Sequence, residues 1–127
     1  MMYHGWDDQA VAPENSIDYF SAARKKLGSR ADAAQLFMVP GMGHCFDGNG
    51  FSTADFVGAL DRWVETGQAP QRIIGEKPVN PMIALAGIPA KPLKTRPLCP
   101  WPKVARYDGK GSMDEESSFS CVAPNSK

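Results

Sequence analysis

The stretch Q-L-F-M-V-P-G-M-G-H-C, residues 35–45, decides the fold of this chain. It opens with a short apolar run that contains Phe37 and Val39, which is typical of a buried strand rather than a helix. A proline and a glycine close the run, and a glycine-rich loop with His44 follows. The stretch therefore predicts a buried strand with a histidine just beyond its carboxyl end.

The segment before this strand has the pattern of a helix over Pro13–Leu27. Proline suits the first helical position, apolar residues recur at steps of three and four, and Gly28 can end the helix. A helix followed by a buried strand is half of a βαβ unit, so we expect an earlier parallel strand at or before Tyr3. The fold class predicted for the chain is α/β.

A second helix is predicted from about Thr53 to Thr66, with Ser52 or Thr53 as its cap and Gly67 at its end. A short strand is expected over residues 71–77. The apolar face of the second helix is formed by Phe56, Val57, Leu60, Trp63 and Val64.

Proline becomes frequent later in the chain, where residues 78–102 hold seven of the eleven prolines. Proline is excluded from central strands and helix interiors, so we expect an extended arm. The sequence thus divides into an α/β part, residues 1–77, and a carboxyl-terminal arm, residues 78–127. A disulfide between Cys99 and Cys121 is favoured over two buried thiols, because the segment between them is polar and glycine-rich and requires a covalent cross-link to hold it.

Composition excludes several classes of protein. The length of 127 residues fits one domain, and a hydrophobic fraction of 43% is too high for a disordered chain. The 14 basic and 14 acidic residues balance, so no basic face for nucleic acid is expected. No apolar stretch approaches the ~18 residues of a membrane span. The first residues lack a secretory signal, so we expect either a cytosolic protein or, in better agreement with the rest of the sequence, a part of a longer one.

His44 and Asp8 are the candidate catalytic residues. Each is expected in a loop after a strand, where the sites of doubly wound folds form, and adjacent strands would make them neighbours. A histidine placed there can act as a general base, and an aspartate can fix its tautomer. Ordinary loop roles stay open for both residues, and the sequence barely separates Asp8 from Asp7.

Cys45, directly after His44, allows further interpretations. A Cys–His nucleophile pair is disfavoured because sequence neighbours rarely have the required geometry. Two histidines and three cysteines without C-x-x-C spacing make a poor zinc pattern, and a disulfide to a distant cysteine is favoured instead. The chain has no G-x-S-x-G elbow, and in the order Ser…Asp…His of that hydrolase fold Asp8 and His44 would come second and third.

Three blocks of the chain resemble the carboxyl-terminal part of the tannase and feruloyl esterase family. They are H-G-W-D-D with N-S-I-D-Y-F in residues 4–20, P-G-M-G-H-C with W-V-E-T-G-Q-A-P in residues 40–70, and R-P-L-C-P-W-P through F-S-C in residues 96–121. Together they span nearly the whole chain, and the combination of P-G-M-G-H-C with R-P-L-C-P-W-P is specific.

The resemblance implies an α/β-hydrolase fold in which Asp8 is the triad acid and His44 is the triad base. It implies a Cys99–Cys121 disulfide, and a second disulfide that joins Cys45 to a cysteine beside the nucleophilic serine, outside this chain. The family's lid, with its structural calcium, would also lie outside, so no metal or cofactor is assigned to this chain. A secreted or periplasmic location is implied as well.

The function implied by the resemblance is carboxylic ester hydrolysis by a serine mechanism, with aromatic acid esters such as feruloyl or galloyl esters as substrates. Without the serine, the chain is expected to be inactive alone and to need the upstream part of the hydrolase as its partner. The alternative is a non-catalytic secreted binding module, or a degenerate remnant of such an esterase. Neither nucleic acid nor a membrane is expected as a partner.

Overall fold

Two parallel strands set the frame of the structure, a computed structural model that describes residues 1–124. Strand β1 (Met2–Gly5) pairs in parallel with β2 (Leu36–Val39), so that the first residues of the two strands lie opposite each other and the last residues do the same. Helix α1 (Pro13–Leu27) and a 3₁₀ helix (Gly28–Ala33) connect them. The predicted βαβ unit is confirmed.

Helix α1 has the predicted ends. Pro13 occupies the first helical position, where its missing N–H costs no hydrogen bond. Gly28 has a positive φ of 55°, which ends the α-helix, and its N–H donates to the carbonyl of Arg24. Phe20 from the predicted apolar stripe is buried, and Ile17 packs beside it. The stripe therefore attaches α1 to the parallel strands.

Strand β2 is buried on both faces, which explains why all four of its residues are apolar. Its side chains alternate between two hydrophobic clusters. Leu36 and Met38 pack with Phe20 of α1 in the smaller cluster. The larger cluster lies on the other face and contains Phe37, Val39, Met42, Phe51, Ala59, Ile73 and Leu98.

Helix α2 begins later than predicted, at Phe56, and ends at Thr66. Thr53–Ala54 form a short strand, β3, and the cap is Asp55, whose carboxylate accepts the N–H of Gly58 at 2.8 Å. The expected cap at Ser52 or Thr53 is therefore wrong. The helix ends as predicted, because the residue after it, a glycine, adopts a left-handed φ of 69°.

The apolar face predicted for α2 is only partly buried. Phe56 packs against the larger cluster, and Ala59 is buried beneath the helix. Val57 and Val64, however, are 82% and 76% exposed, and Leu60 is 42% exposed. The helix thus contacts the core mainly through a narrow edge. None of the helices within residues 1–124 is both long enough and apolar enough to cross a bilayer.

The segment after residue 77 contributes to the core, contrary to the extended arm expected there. After the short helix α3 (Pro81–Leu85), strand β5 (Lys94–Leu98) pairs antiparallel with β4 (Ile73–Lys77), whose other side pairs with β3. A proline fits in β5 because β5 lies at the edge of this sheet. The division expected at residue 77 therefore passes through one continuous sheet.

The last part of the described chain forms a separate antiparallel pair, β6 (Val104–Tyr107) with β7 (Phe119–Val122). The predicted disulfide between Cys99 and Cys121 is present, with 5.6 Å between the two Cα atoms. Cys99 is buried directly after β5, so the bridge fastens β7 to the core. Cys45 is a free, exposed thiol.

Replacing both Cys99 and Cys121 by serine is expected to lower the free energy of unfolding by about 3 kcal/mol. The bridge closes a loop with a sequence separation of 22, and its loss restores the conformational entropy of that loop to the unfolded chain. Urea denaturation of the parent and the double variant measures the difference.

A thiol titration supplies the control. The denatured, unreduced parent should release one thiol per chain, that of Cys45, and three after reduction. Three thiols before reduction would contradict the bridge.

Candidate active site

The two predicted site residues lie in neighbouring loops at the carboxyl ends of the parallel strands. Asp8 follows β1, before α1 begins, and His44 follows β2. The parallel register continues beyond the strands, because the N–H of Trp6 donates to the carbonyl of Val39 at 3.0 Å, and the N–H of Asp7 donates to the carbonyl of Met42 at 3.0 Å. These two hydrogen bonds fix the loops relative to each other.

Gly5 permits this close approach. A Cβ atom at residue 5 would collide with the carbonyl group of Met42 and crowd the carbonyl oxygen of Gly43. Because both contacts are with backbone, no side-chain rotation could relieve them. Glycine is therefore required here for steric reasons, and its place at the end of β1 lets the histidine loop lie against the aspartate loop.

The histidine loop is held by its own backbone hydrogen bonds. The N–H of Gly43 donates to the carbonyl of Asp47 at 2.8 Å, and the N–H of Gly50 donates to the carbonyl of Gly41 at 2.8 Å. Cys45 adopts a φ of 64°, a left-handed conformation that is uncommon for a residue with a side chain. This folded-back loop presents His44 and Cys45 side by side at the surface.

The structure brings His44 and Asp8 into contact. Nδ1 of His44 lies 3.0 Å from Oδ2 and 3.2 Å from Oδ1 of Asp8. An ionised carboxylate only accepts hydrogen bonds, so Nδ1 carries the proton and Nε2 of the neutral ring is left as a base. The His44 side chain is 52% exposed, whereas the Asp8 side chain is 6% exposed. The pair thus combines a fixed carboxylate with an accessible imidazole.

Asp8 is held as a carboxylate by the turn that follows it. Its Oδ1 accepts the N–H groups of Ala10 and Val11, each at 2.9 Å. The hydrogen bond from Val11 is the main reason why the pKa of Asp8 falls from 3.8 to about 2, opposed by desolvation and assisted by His44 and Ala10. Asp8 therefore remains charged throughout the physiological pH range.

Asp7 has a different role from Asp8. Its side chain is exposed, and its backbone N–H supplies the hydrogen bond to the histidine loop. The structure thus distinguishes two aspartates that the sequence barely separated, and it places Asp8 against the imidazole.

Sequence reasoning missed a second histidine at this site. His4, in β1, is 11% exposed, and its Nε2 lies 3.2 Å from Oδ2 of Asp8. The same nitrogen is 3.2 Å from the carbonyl oxygen of Val11, and Nδ1 is 2.6 Å from Oγ of Ser16 in α1. The available signal was the spacing of four residues between His4 and Asp8, within the H-G-W-D-D block.

The surface around the pair is a shallow cavity of about 200 Å³, lined by Tyr3, His4, Gly5, Asp8, Met42, Gly43, His44 and Cys45. A larger groove, about 840 Å³, lies between α2 and β4, away from the pair. Within residues 1–124, no group of three or more His, Cys, Asp or Glu side chains is arranged to hold a metal ion.

Replacing Asp8 by asparagine should reduce stability near neutral pH, and this difference should shrink as the pH falls from ~4 to ~2. The pKa of Asp8 is lower in the folded chain than in the unfolded chain, so ionised Asp8 stabilises the fold at any pH above the unfolded-state pKa. This stabilisation is lost as the pH falls through the folded-state pKa. Urea denaturation of the parent and Asp8→Asn across this pH range measures the difference in the free energy of unfolding.

The matched control for this experiment is Asp7→Asn, which should track the parent within about 0.5 kcal/mol at every pH because Asp7 is an exposed residue. If Asp8→Asn and Asp7→Asn gave the same pH dependence, the carboxylate site described for Asp8 would be contradicted.

Comparison with known proteins finds similarity to ester hydrolases. The family model described as tannase and feruloyl esterase matches residues 1–122. The chain is 37% identical to mono(2-hydroxyethyl) terephthalate hydrolase of Piscinibacter sakaiensis over 124 residues, which are 98% of this chain and 20% of that protein. It is 33% identical to a probable feruloyl esterase of Arthroderma benhamiae, over 96% of this chain and 22% of that one.

Solved structures similar to this chain are also esterases. A crystal structure of an esterase from Aspergillus oryzae superposes with a TM-score of 0.74 at 28% identity, covering 95% of this chain and 27% of the other. Feruloyl esterase B from Aspergillus oryzae gives 0.71 at 28% identity, covering 95% and 26%. The chain therefore spans about a fifth to a quarter of the length of these relatives. Because the family model matches almost the entire chain, the chain belongs to the tannase and feruloyl esterase family.

Proposed function

We propose that this chain supplies the acid and the base of a serine ester hydrolase site of the α/β-hydrolase type, with Asp8 as the acid and His44 as the base. The observation that carries the proposal is the contact between Nδ1 of an exposed His44 and the buried carboxylate of Asp8. Membership of a family of ester hydrolases supports the same assignment. The nucleophilic serine would come from a segment outside residues 1–127.

In the proposed reaction, Nε2 of His44 takes the proton of the serine hydroxyl as the serine oxygen attacks the ester carbonyl carbon. The tetrahedral intermediate collapses, the ester C–O bond breaks, and His44 gives its proton to the departing alcohol. Water then attacks the acyl-enzyme with His44 again as base, which releases the acid and the free serine. Asp8 keeps the proton of the neutral ring on Nδ1 and stabilises the imidazolium. These steps require no cofactor.

The substrate class proposed is esters of aromatic carboxylic acids. Relatives of the chain carry the names feruloyl esterase and mono(2-hydroxyethyl) terephthalate hydrolase, and both names refer to esters of aromatic acids. The cavity beside His44 is shallow, so residues outside this chain would form most of the pocket for the acyl group.

We further propose that the protein acts in a secreted or periplasmic setting and that Cys45 is bridged to the upstream part of the hydrolase. The Cys99–Cys121 disulfide supports an oxidising compartment. The exposure of the Cys45 thiol, next to His44, would allow such a bridge to fix the histidine loop to the segment that carries the serine.

A chimera tests this function. Residues 1–122 replace the matching segment of feruloyl esterase B from Aspergillus oryzae, and hydrolysis of ethyl ferulate is measured. We expect turnover by the chimera and none by the isolated chain. Changing His44 to alanine should lower kcat/KM about 10³-fold or more, and Asp8→Asn should lower it about 10²- to 10⁴-fold.

The control variant in this chimera is Asp7→Asn, which should retain turnover because the Asp7 side chain is exposed and does not form the pair with His44. A folded chimera without turnover would favour the alternative, a binding module or a degenerate remnant. Turnover by the isolated chain that depends on His44 would place the nucleophile inside residues 1–127 and contradict the proposal.

A further inference from the structure

We propose that His4 is a positioning residue for the candidate dyad, holding the carboxylate of Asp8 and the turn that follows it so that Oδ2 faces His44. This proposal rests on the proposed function in one respect, the assignment of Asp8 as the acid that orients His44. His4 lies opposite Met38 in the parallel pair, one residue before Gly5, so its backbone is fixed by the strand. Its ring is 11% exposed and therefore does not face bulk solvent.

The hydrogen-bonding partners of His4 define its tautomer. The carbonyl oxygen of Val11 can only accept, so Nε2 of His4, at 3.2 Å, carries a proton. On the neutral ring Nδ1 is then an acceptor, and the hydroxyl of Ser16 donates to it across 2.6 Å. Ser16 thereby fixes the ring so that its N–H edge faces the turn and the carboxylate.

This arrangement completes the set of groups that orient Asp8. The N–H groups of Ala10 and Val11 hold Oδ1, and His44 approaches Oδ2 at 3.0 Å. Nε2 of His4 lies 3.2 Å from the same Oδ2, and its hydrogen bond to the carbonyl of Val11 anchors the peptide segment that donates to Oδ1. His4 thus lies against Oδ2 and, through its hydrogen bond to Val11, holds the segment that donates to Oδ1.

The position also explains why a largely shielded polar ring lies between β1 and α1. An apolar side chain of similar size would fill the space but would leave the Val11 carbonyl without this donor and the Oδ2 side of the carboxylate without its neighbour. The consequence reaches His44, because the proton on its Nδ1 is stabilised by the orientation of Asp8.

The test compares four forms of the full chain by NMR: the parent, His4→Leu, His4→Asn and His4→Gln. A glutamine amide can reach the place of Nε2 and donate to the Val11 carbonyl, whereas an asparagine amide reaches only the place of Nδ1. The measurements are the tautomer of the neutral His44 ring, from its ¹⁵N shifts, and hydrogen exchange at the amides of Ala10 and Val11. A side chain that only fills space would change the melting temperature without changing the His44 tautomer.

We expect His4→Leu and His4→Asn to lose the Nδ1–H preference of His44 and to exchange the two amides about 3- to 10-fold faster, the effect of losing one hydrogen bond. His4→Gln should keep the parental tautomer and exchange rates. A parental His44 spectrum in His4→Leu, or a His4→Gln variant that behaves like His4→Leu, would overturn the proposal.

Ser16→Ala keeps the proposal testable if the leucine and asparagine variants do not fold. It removes only the hydroxyl that fixes the His4 ring, and should shift the His44 tautomer and the two amides in the same direction by a smaller amount. Unchanged spectra in Ser16→Ala would then overturn the proposal. Since no readout requires ester turnover, a failure of this proposal is distinguishable from a failure of the proposed function.

Discussion

The approach of one backbone to another at Gly5 is the constraint on which the site depends. Because residue 5 has no side chain, the carbonyl of Met42 can lie against the end of β1. The parallel register then continues into the loops through the hydrogen bonds of Trp6 to Val39 and of Asp7 to Met42. Asp8 is the next residue and His44 lies two residues past Met42, so the contact between their side chains follows from main-chain geometry.

The polar cluster built on this frame is asymmetric. On one side the carboxylate of Asp8 is nearly buried, accepts two backbone N–H groups and has its pKa lowered to about 2. On the other side the His44 ring is half exposed, and its Nε2 is not needed for the contact with Asp8. In the proposed role of His44 as a general base, the carboxylate would be fixed by hydrogen bonds before reaction and would need no reorganisation when the imidazolium forms.

The sequence predicted the local elements well where one strong local signal determined them. The proline at the start of α1, the glycine after it and the apolar run of β2 led to correct bounds or placement, since sterics and burial act there within a few residues. The short strand β3 and the Asp55 cap were missed, because pairing with β4 decides the conformation of Thr53–Ala54. For the same reason residues 94–98 form a strand where the sequence predicts an extended arm, since their partner strand lies well before them in the chain.

At the site, position after a strand indicated Asp8 and His44, and the family resemblance favoured Asp8 over Asp7. The contacts that His44 and His4 make with Asp8 required the structure. The geometry implies that Asp8 holds the proton on Nδ1 of His44, and the ¹⁵N spectrum of the neutral His44 ring measures where that proton lies. The parent and Asp7→Asn should both show the Nδ1–H tautomer, and Asp8→Asn should lose it. The same His44 tautomer in all three forms would contradict the account.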